Sequence, residues 1–175
     1  SAFGVSALTF YLLGYGVTSV AAFAILGAVG RDGEREVTLA DLAGLSQTRP
    51  WMAFALALCM LSLLGFPGTI GFIGKWYILS AVVAAGNPLL AVALVVASLI
   101  SAGYYLPVIM TLYMRSARAP QVYFDRGLAG TARAAVLFCM LLVLLFGVWP
   151  SPALHFSDNA AFSLAQSSGQ AGTGP

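Results

Sequence analysis

The sequence predicts an all-α integral membrane protein with about four transmembrane helices, and two observations carry that prediction. The first is composition: the 175 residues are 60% hydrophobic and only 8% charged, whereas a soluble domain carries about 25% charged residues. The second is the presence of four apolar runs, at about 6–29, 51–85, 89–114 and 131–149. Each run reaches the roughly 20 residues that a helix needs to cross the hydrocarbon core. The net charge of +2 and the lack of a basic run argue against nucleic acid as a partner.

The arginines predict how these spans are oriented. The segments 30–50 and 115–133 carry all seven of them: Arg31, Arg35, Arg49, Arg115, Arg118, Arg126 and Arg133. With four alternating spans, both segments fall on one side of the membrane. The positive-inside rule places that side in the cytoplasm, so both ends of the chain are expected on the outer side of the membrane.

The segments outside the spans predict one local structure and one mobile region. Thr38 and Asp41 have capping-box spacing, with Asp in place of the usual Glu or Gln, so one or two helical turns are expected in the first loop. Residues 1–156 are assigned to the transmembrane bundle. The tail over 157–175 is rich in Ser, Gly, Gln and Ala, a composition typical of mobile chain ends.

The second apolar run is too long for one straight helix. Its 35 residues would extend about 52 Å at 1.5 Å per residue, well beyond the roughly 30 Å hydrocarbon core. Proline removes a backbone donor and glycine lowers helix propensity. We therefore predict a discontinuous helix, interrupted near Gly65–Thr69. The residues expected to support the interruption are Gly65, Pro67, Gly68, Thr69 and Gly71.

Lys75 is the main candidate functional residue. It is the only lysine in the chain, and no other charge occurs between Arg49 and Arg115. A charge at the bilayer centre costs roughly 2.5–3.5 kcal/mol on insertion scales, and charges kept there usually serve ion or proton pathways. The interpretation from the residues is a proton relay beside the broken helix. The alternative is a simple proline kink with a snorkelling lysine, and no partner carboxylate lies within the four runs.

Weaker polar signals lie in the first and third runs. A possible hydrated path toward Lys75 consists of Tyr15, Thr18, Ser98, Ser101 and Tyr105, although such residues more often join membrane helices by packing and hydrogen bonding. No metal-ligand cluster, nucleotide-binding loop or nucleophile–base pair is present in the sequence. The sequence therefore predicts no catalytic residue, metal site or cofactor site in this chain.

The block from Gly65 to Tyr77, GFPGTIGFIGKWY, resembles the broken-helix signature of the antiporter-like subunits of proton-pumping NADH–quinone oxidoreductase, respiratory complex I. Three further stretches are similar to the same family: YLLGYG from Tyr11, DLAGL from Asp41 and SAGYYLP from Ser101. Together they are most similar to subunit N. The likeness is clear over about residues 5–115 and rests on hydropathy alone beyond them.

The resemblance implies the last four helices of an inverted-repeat bundle, with Lys75 at the ionisable position of the second repeat's broken helix. It implies proton translocation coupled to quinone reduction elsewhere, by a non-redox subunit of an NADH:quinone-reducing translocase. Flavin, iron–sulfur clusters and quinone would lie in other subunits, and the partners would be sister antiporter-like membrane subunits and lipids. Two alternatives stay open: a subunit of a multisubunit cation/proton antiporter or membrane-bound hydrogenase, and a purely structural membrane subunit.

Overall fold

A computed structural model describes residues 2–29, 38–116 and 130–149 of the chain. All regular structure in these ranges is helical. The six α-helices are α1 (Ala2–Val29), α2 (Leu45–Thr48), α3 (Pro50–Leu64), α4 (Ile70–Ala84), α5 (Pro88–Met114) and α6 (Gly130–Val148), and a 3₁₀ turn (Leu39–Leu42) precedes α2.

Three of these helices are long and apolar enough to cross a membrane by length and composition: α1, α5 and α6. They coincide with the first, third and fourth apolar runs of the sequence. The chain is therefore a multi-pass membrane protein. The second apolar run is divided between α3 and α4, which are shorter, with 15 residues each.

The two short helices α3 and α4 pack along the same neighbour, α1, one after the other. Thr18, in the middle of α1, contacts Ser62 near the end of α3. Nearer the start of α1, Tyr11 lies against Gly74 of α4, and the Phe3 and Tyr77 rings meet at 6.3 Å. Both α3 and α4 thus run antiparallel to α1. Together they extend along nearly its whole length, about 42 Å for 28 residues.

Two apolar clusters hold the described helices together. The larger one joins the second half of α1 to α3, with contributions from α2, α5 and α6, and includes the fully buried side chains of Ile25, Leu56 and Leu112. The smaller one joins Phe10 of α1, Ile70 of α4 and Val143 of α6. The smaller cluster lies next to the α3–α4 junction, so α1 and α6 both pack against it.

The helical turns predicted in the first loop are present. The Asp41 carboxylate accepts hydrogen bonds from the Thr38 backbone N–H at 2.8 Å and the Thr38 hydroxyl at 2.7 Å. These bonds hold the 3₁₀ turn, and the single turn of α2 follows it. The sequence-based assignments for 30–37, 117–129 and 150–175 lie outside the described residues. They include four of the seven arginines and the prediction made for the tail over 157–175.

Candidate functional site at the α3–α4 junction

The C-terminus of α3 is closed by a glycine in the left-handed conformation. Gly65 has φ +94°, a region that costs other residues about 1 kcal/mol or more. The Phe66 N–H donates to the Leu61 carbonyl at 2.9 Å, and the Gly65 N–H donates to the Ser62 carbonyl at 3.0 Å. This is the Schellman arrangement of a helix end. It satisfies two of the four carbonyls that a helix C-terminus leaves without intrahelical partners.

Lys75 supplies partners for the other two carbonyls. Its Nζ donates to the Leu63 carbonyl at 3.1 Å and to the Leu64 carbonyl at 2.9 Å. Lys75 lies in the second turn of α4, so the first turns of α4 stand beside the last turn of α3. The carbonyl end of a helix carries a partial negative charge of about half an elementary charge. The backbone carbonyls at the end of α3 therefore give the lysine a favourable electrostatic environment.

Close approach of the two helices depends on Gly71. A Cβ built on Gly71 would overlap the Ser62 backbone carbonyl, so the α4 backbone touches the last turn of α3 at this point. Gly71 is helical, and the property that the junction requires is its lack of a side chain. This contact fixes the register in which the Lys75 side chain reaches the α3 carbonyls.

A buried hydroxyl pair lies next to this contact. Thr18 Oγ1 donates to the Gly14 carbonyl at 2.7 Å, and Thr18 Oγ1 and Ser62 Oγ are 3.4 Å apart. A hydroxyl has one hydrogen to donate, and that of Thr18 is already used. Ser62 is therefore the donor between the two, which leaves its oxygen lone pairs able to accept a further hydrogen bond.

Two cavities adjoin Lys75. The larger one, about 630 Å³, lies between α1, α4 and α5 and also borders the end of α3. The smaller one, about 10 Å³, is enclosed by α1 and the α3–α4 junction and is lined by Thr18 and Ser62, a volume near that of one water molecule. Both cavities are lined by Lys75, Tyr11, Tyr15 and Leu63. Lys75 thus borders a large open cavity and a small one that the Thr18 and Ser62 side chains help to line.

The site residues predicted from the sequence lie around the two cavities and in the linker between α3 and α4. Around the larger cavity the structure brings together Lys75, Gly65, Tyr15, Ser98, Ser101 and Tyr105. Thr18 lines the smaller cavity together with Gly71. Pro67 and Gly68 lie in the linker between α3 and α4, and Thr69 precedes the first residue of α4. The Thr69 hydroxyl donates to the Phe66 carbonyl at 2.7 Å, which stabilises the linker.

Sequence reasoning missed Ser62, Tyr104 and the two carbonyl groups that bind Lys75. Ser62 carried a weak signal, as a serine within an apolar run three residues before the predicted break. Tyr104 adjoins Tyr105, with ring centroids 4.5 Å apart, and lines the larger cavity. The carbonyl acceptors carry no sequence signal, because every residue has one and only the overlap of α3 with α4 selects Leu63 and Leu64.

Comparison with known protein families decides the classification. The family model described as NADH:quinone oxidoreductase/Mrp antiporter, TM, matches residues 1–101, more than half of the chain. The chain belongs to the NADH:quinone oxidoreductase/Mrp antiporter family. The match includes α1 to α4 and about half of α5, so the whole α3–α4 junction lies inside the family region, whereas α6 lies beyond it.

Curated members of the family resemble this chain over most of its length. NADH-quinone oxidoreductase subunit N of Gemmatimonas aurantiaca is 36% identical over 96% of this chain and 33% of the relative. The protein named subunit N 1 in Sorangium cellulosum is 38% identical over 90% and 31%, and subunit N 2 of Roseiflexus castenholzii is 40% identical over 86% and 30%. The chain spans about a third of the length of these curated relatives.

Two solved structures contain a chain with the same helical arrangement. A chain of respiratory complex I from Thermus thermophilus, solved with bound aureothin, superposes with a TM-score of 0.73 at 36% identity, over 86% of this chain and 34% of that chain. A chain of the Mrp complex from Dietzia sp. superposes with a TM-score of 0.74 at 22% identity, over 92% and 38%. The second likeness concerns the fold alone.

Proposed function

We propose that this chain is part of a proton-translocating membrane subunit of an NADH-quinone oxidoreductase, in which Lys75 passes protons while quinone is reduced elsewhere. The observation that carries the proposal is the position of the Lys75 amine, hydrogen-bonded to the end of α3 and bordering two cavities. The identity of the curated relatives supports the choice of complex. The chain's own role is non-redox; flavin, iron–sulfur clusters and quinone would belong to other subunits.

In this proposal α3 and α4 form one discontinuous span, which gives four crossings in total. The packing of α3 and then α4 along α1 supports this topology. Helix α1 is by itself long enough to cross the membrane, so two helices that together match its length can form one crossing. Four alternating crossings put the arginine-bearing segments on the cytoplasmic side of a bacterial inner membrane and both ends of the segment on the outer side. The partners would be the other membrane subunits of the complex, including its sister antiporter-like subunits, and lipids.

The hydrogen-bond count at Lys75 supports a relay that does not disturb the helix end. A charged ammonium has three N–H donors, and two of them serve the Leu63 and Leu64 carbonyls. Loss of one proton leaves a neutral amine with two N–H donors, enough for both carbonyls. The third proton can therefore leave or return while the α3 cap stays intact. The lone pair that remains is the acceptor for the next proton.

The neighbouring polar side chains would provide the other members of this relay. The free lone pairs of Ser62 Oγ and a water-sized cavity beside Thr18, Tyr11 and Tyr15 fit a water molecule that accepts from the lysine and donates to Ser62. Ser98, Ser101 and Tyr105 are among the residues that line the larger cavity. Lys75 therefore borders two cavities of unequal size, each lined in part by polar side chains, as a relay residue between two half-paths would.

The experiment that tests the proposed function measures proton uptake by inverted membrane vesicles from the source organism. With NADH as the electron donor, uptake is expected in wild-type vesicles and is expected to disappear when the gene for the subunit containing this chain is deleted. Proton movement that follows an imposed cation gradient without NADH would instead favour the second candidate, a cation/proton antiporter subunit, which the fold likeness to the Mrp complex keeps open.

Ser62→Ala is expected to slow proton transport without preventing assembly. The variant removes the hydroxyl that borders the smaller cavity, while the Schellman bonds at the α3 end use only the backbone of Ser62. We expect a decrease of about tenfold in NADH-driven proton uptake, which is less than the roughly 100-fold or more typical of a group that itself transfers the proton. Ser80→Ala is the matched control, because the Ser80 hydroxyl donates only to the Trp76 carbonyl within α4. Equal rates in the two variants would exclude a role for the Ser62 hydroxyl.

A further inference from the structure

Helix α6 is in close backbone contact with the α3–α4 junction. Gly147, near the C-terminus of α6, is buried, and a Cβ built on it would overlap the Gly68 carbonyl and the Thr69 backbone. These are backbone atoms of the linker between α3 and α4, which cannot swing aside as a flexible side chain can. The α6 backbone therefore packs directly against the linker.

A second contact of α6 holds the first residue of α4. Ile70 is 4% exposed and lies in one cluster with Phe10 of α1 and Val143 of α6, both 1% exposed. On the α1 side, a Cβ built on Gly14 would lie 2.9 Å from the Ile70 side chain. The start of α4 is thus enclosed between α1 and α6, with no free space on either side at these contacts.

The position of Lys75 follows from that enclosure. Lys75 is five residues after Ile70 in the same helix, so a displacement of the α4 start moves the Lys75 backbone with it. The α3 end is held by a different cluster, the larger one, which α3 forms with α1, α2, α5 and the first half of α6. Any shift of α4 relative to α3 therefore changes the distances from Lys75 Nζ to the Leu63 and Leu64 carbonyls.

We infer that Gly147 is a positioning residue for the Lys75 relay, and that α6 serves as the wall that sets the register of α4 against α3. The inference rests on the proposed function and adds to it a helix outside the family match, which ends at residue 101. Gly147 acts at a distance, since it lines neither cavity that borders Lys75. The property of Gly147 that this role requires is the lack of a Cβ.

The test is Gly147→Ala in the complete subunit within the assembled complex, measured as NADH-driven proton uptake against pH. We expect assembly, a loss of about tenfold in transport, and a displaced pH profile, since misplacing a reacting group by about 1 Å can cost about 100-fold. Alanine adds no titratable group, and the tyrosines that line the larger cavity with Lys75 belong to α1 and α5: Tyr11, Tyr15, Tyr104 and Tyr105. A displaced profile therefore reports a change around Lys75.

Gly103→Ala is the matched control. Gly103 also lies inside a long apolar helix, α5, but a Cβ built on it meets nothing within 4 Å. This variant is expected to keep wild-type transport and pH profile. If Gly147→Ala behaves like Gly103→Ala, or if it lowers the rate at every pH by the same factor, the positioning role is wrong.

Val143→Ala keeps the inference testable if Gly147→Ala does not assemble. It removes two methyl groups from the Ile70 contact without introducing a clash, so it weakens the packing of α6 against the start of α4. A displaced pH profile is again expected, and an unchanged one overturns the inference. Lys75→Met is measured alongside: normal transport in that variant rejects the proposed function, whereas lost transport there with wild-type behaviour of the α6 variants rejects only the role of α6.

Discussion

Lys75→Met is expected to abolish NADH-driven proton uptake and to lower the stability of the α3–α4 junction. Methionine has nearly the same length as lysine but cannot carry a proton or donate a hydrogen bond. The Leu63 and Leu64 carbonyls would lose the partners they have in the structure, at about 1–3 kcal/mol for each group left buried and unsatisfied. The measurements are proton uptake in inverted vesicles and the thermal stability of the purified complex.

The effects of Lys75→Met on proton uptake and on stability distinguish between the two roles considered for this lysine. A relay residue predicts loss of transport in complexes that are still assembled, together with reduced electron transfer if the two processes are coupled. A snorkelling lysine beside a proline kink predicts that transport persists and only stability changes. Wild-type transport in an assembled Lys75→Met complex would therefore contradict the relay.

Among the glycines that the structure describes, Gly71 is the one whose change to alanine is expected to lower stability most. The new Cβ would overlap the Ser62 carbonyl, and neither helix can retreat without breaking the Lys75 hydrogen bonds. Overpacking commonly costs about 1–3 kcal/mol, and we expect a value near the upper limit because a Cβ is fixed to the α4 backbone and the group that it meets is a backbone carbonyl of α3. The measurement is the amount of assembled complex and its thermal unfolding temperature.

Gly16→Ala provides the matched control for that prediction. It lies in α1, and a Cβ built on it meets nothing within 4 Å. Because alanine is the better helix former by about 1 kcal/mol, Gly16→Ala is expected to be neutral or slightly stabilising. Similar unfolding temperatures for the two variants would show that α3 and α4 do not overlap as described.

The membrane class and the long helices could be predicted from the sequence because each depends on local composition. Apolar runs of about 20 residues have few alternatives to a membrane helix, and α1, α5 and α6 begin and end within about four residues of the predicted limits. Proline and glycine likewise indicate where the long second run is divided, because both residues disfavour a continuous helix. None of these inferences requires knowledge of which helices are neighbours.

The contacts of the site could not be predicted, because they depend on tertiary packing. Gly71 was selected for its low helix propensity, yet it lies within α4 and its importance is the contact with Ser62. Gly147 carried no signal, since one glycine in an apolar helix is common in membrane proteins. The acceptors for Lys75 are backbone carbonyls, and only the side-by-side overlap of the two helices assigns them to Leu63 and Leu64.

The central claim is that Lys75 exchanges a proton as well as capping α3, and Lys75→Arg tests it most directly. Arginine keeps the positive charge and the N–H donors for the α3 carbonyls, but its guanidinium does not release a proton in proteins. In the assembled complex the measurement is NADH-driven proton uptake together with thermal stability. We predict near wild-type stability with transport lost, and wild-type transport in this variant would contradict the proposed relay.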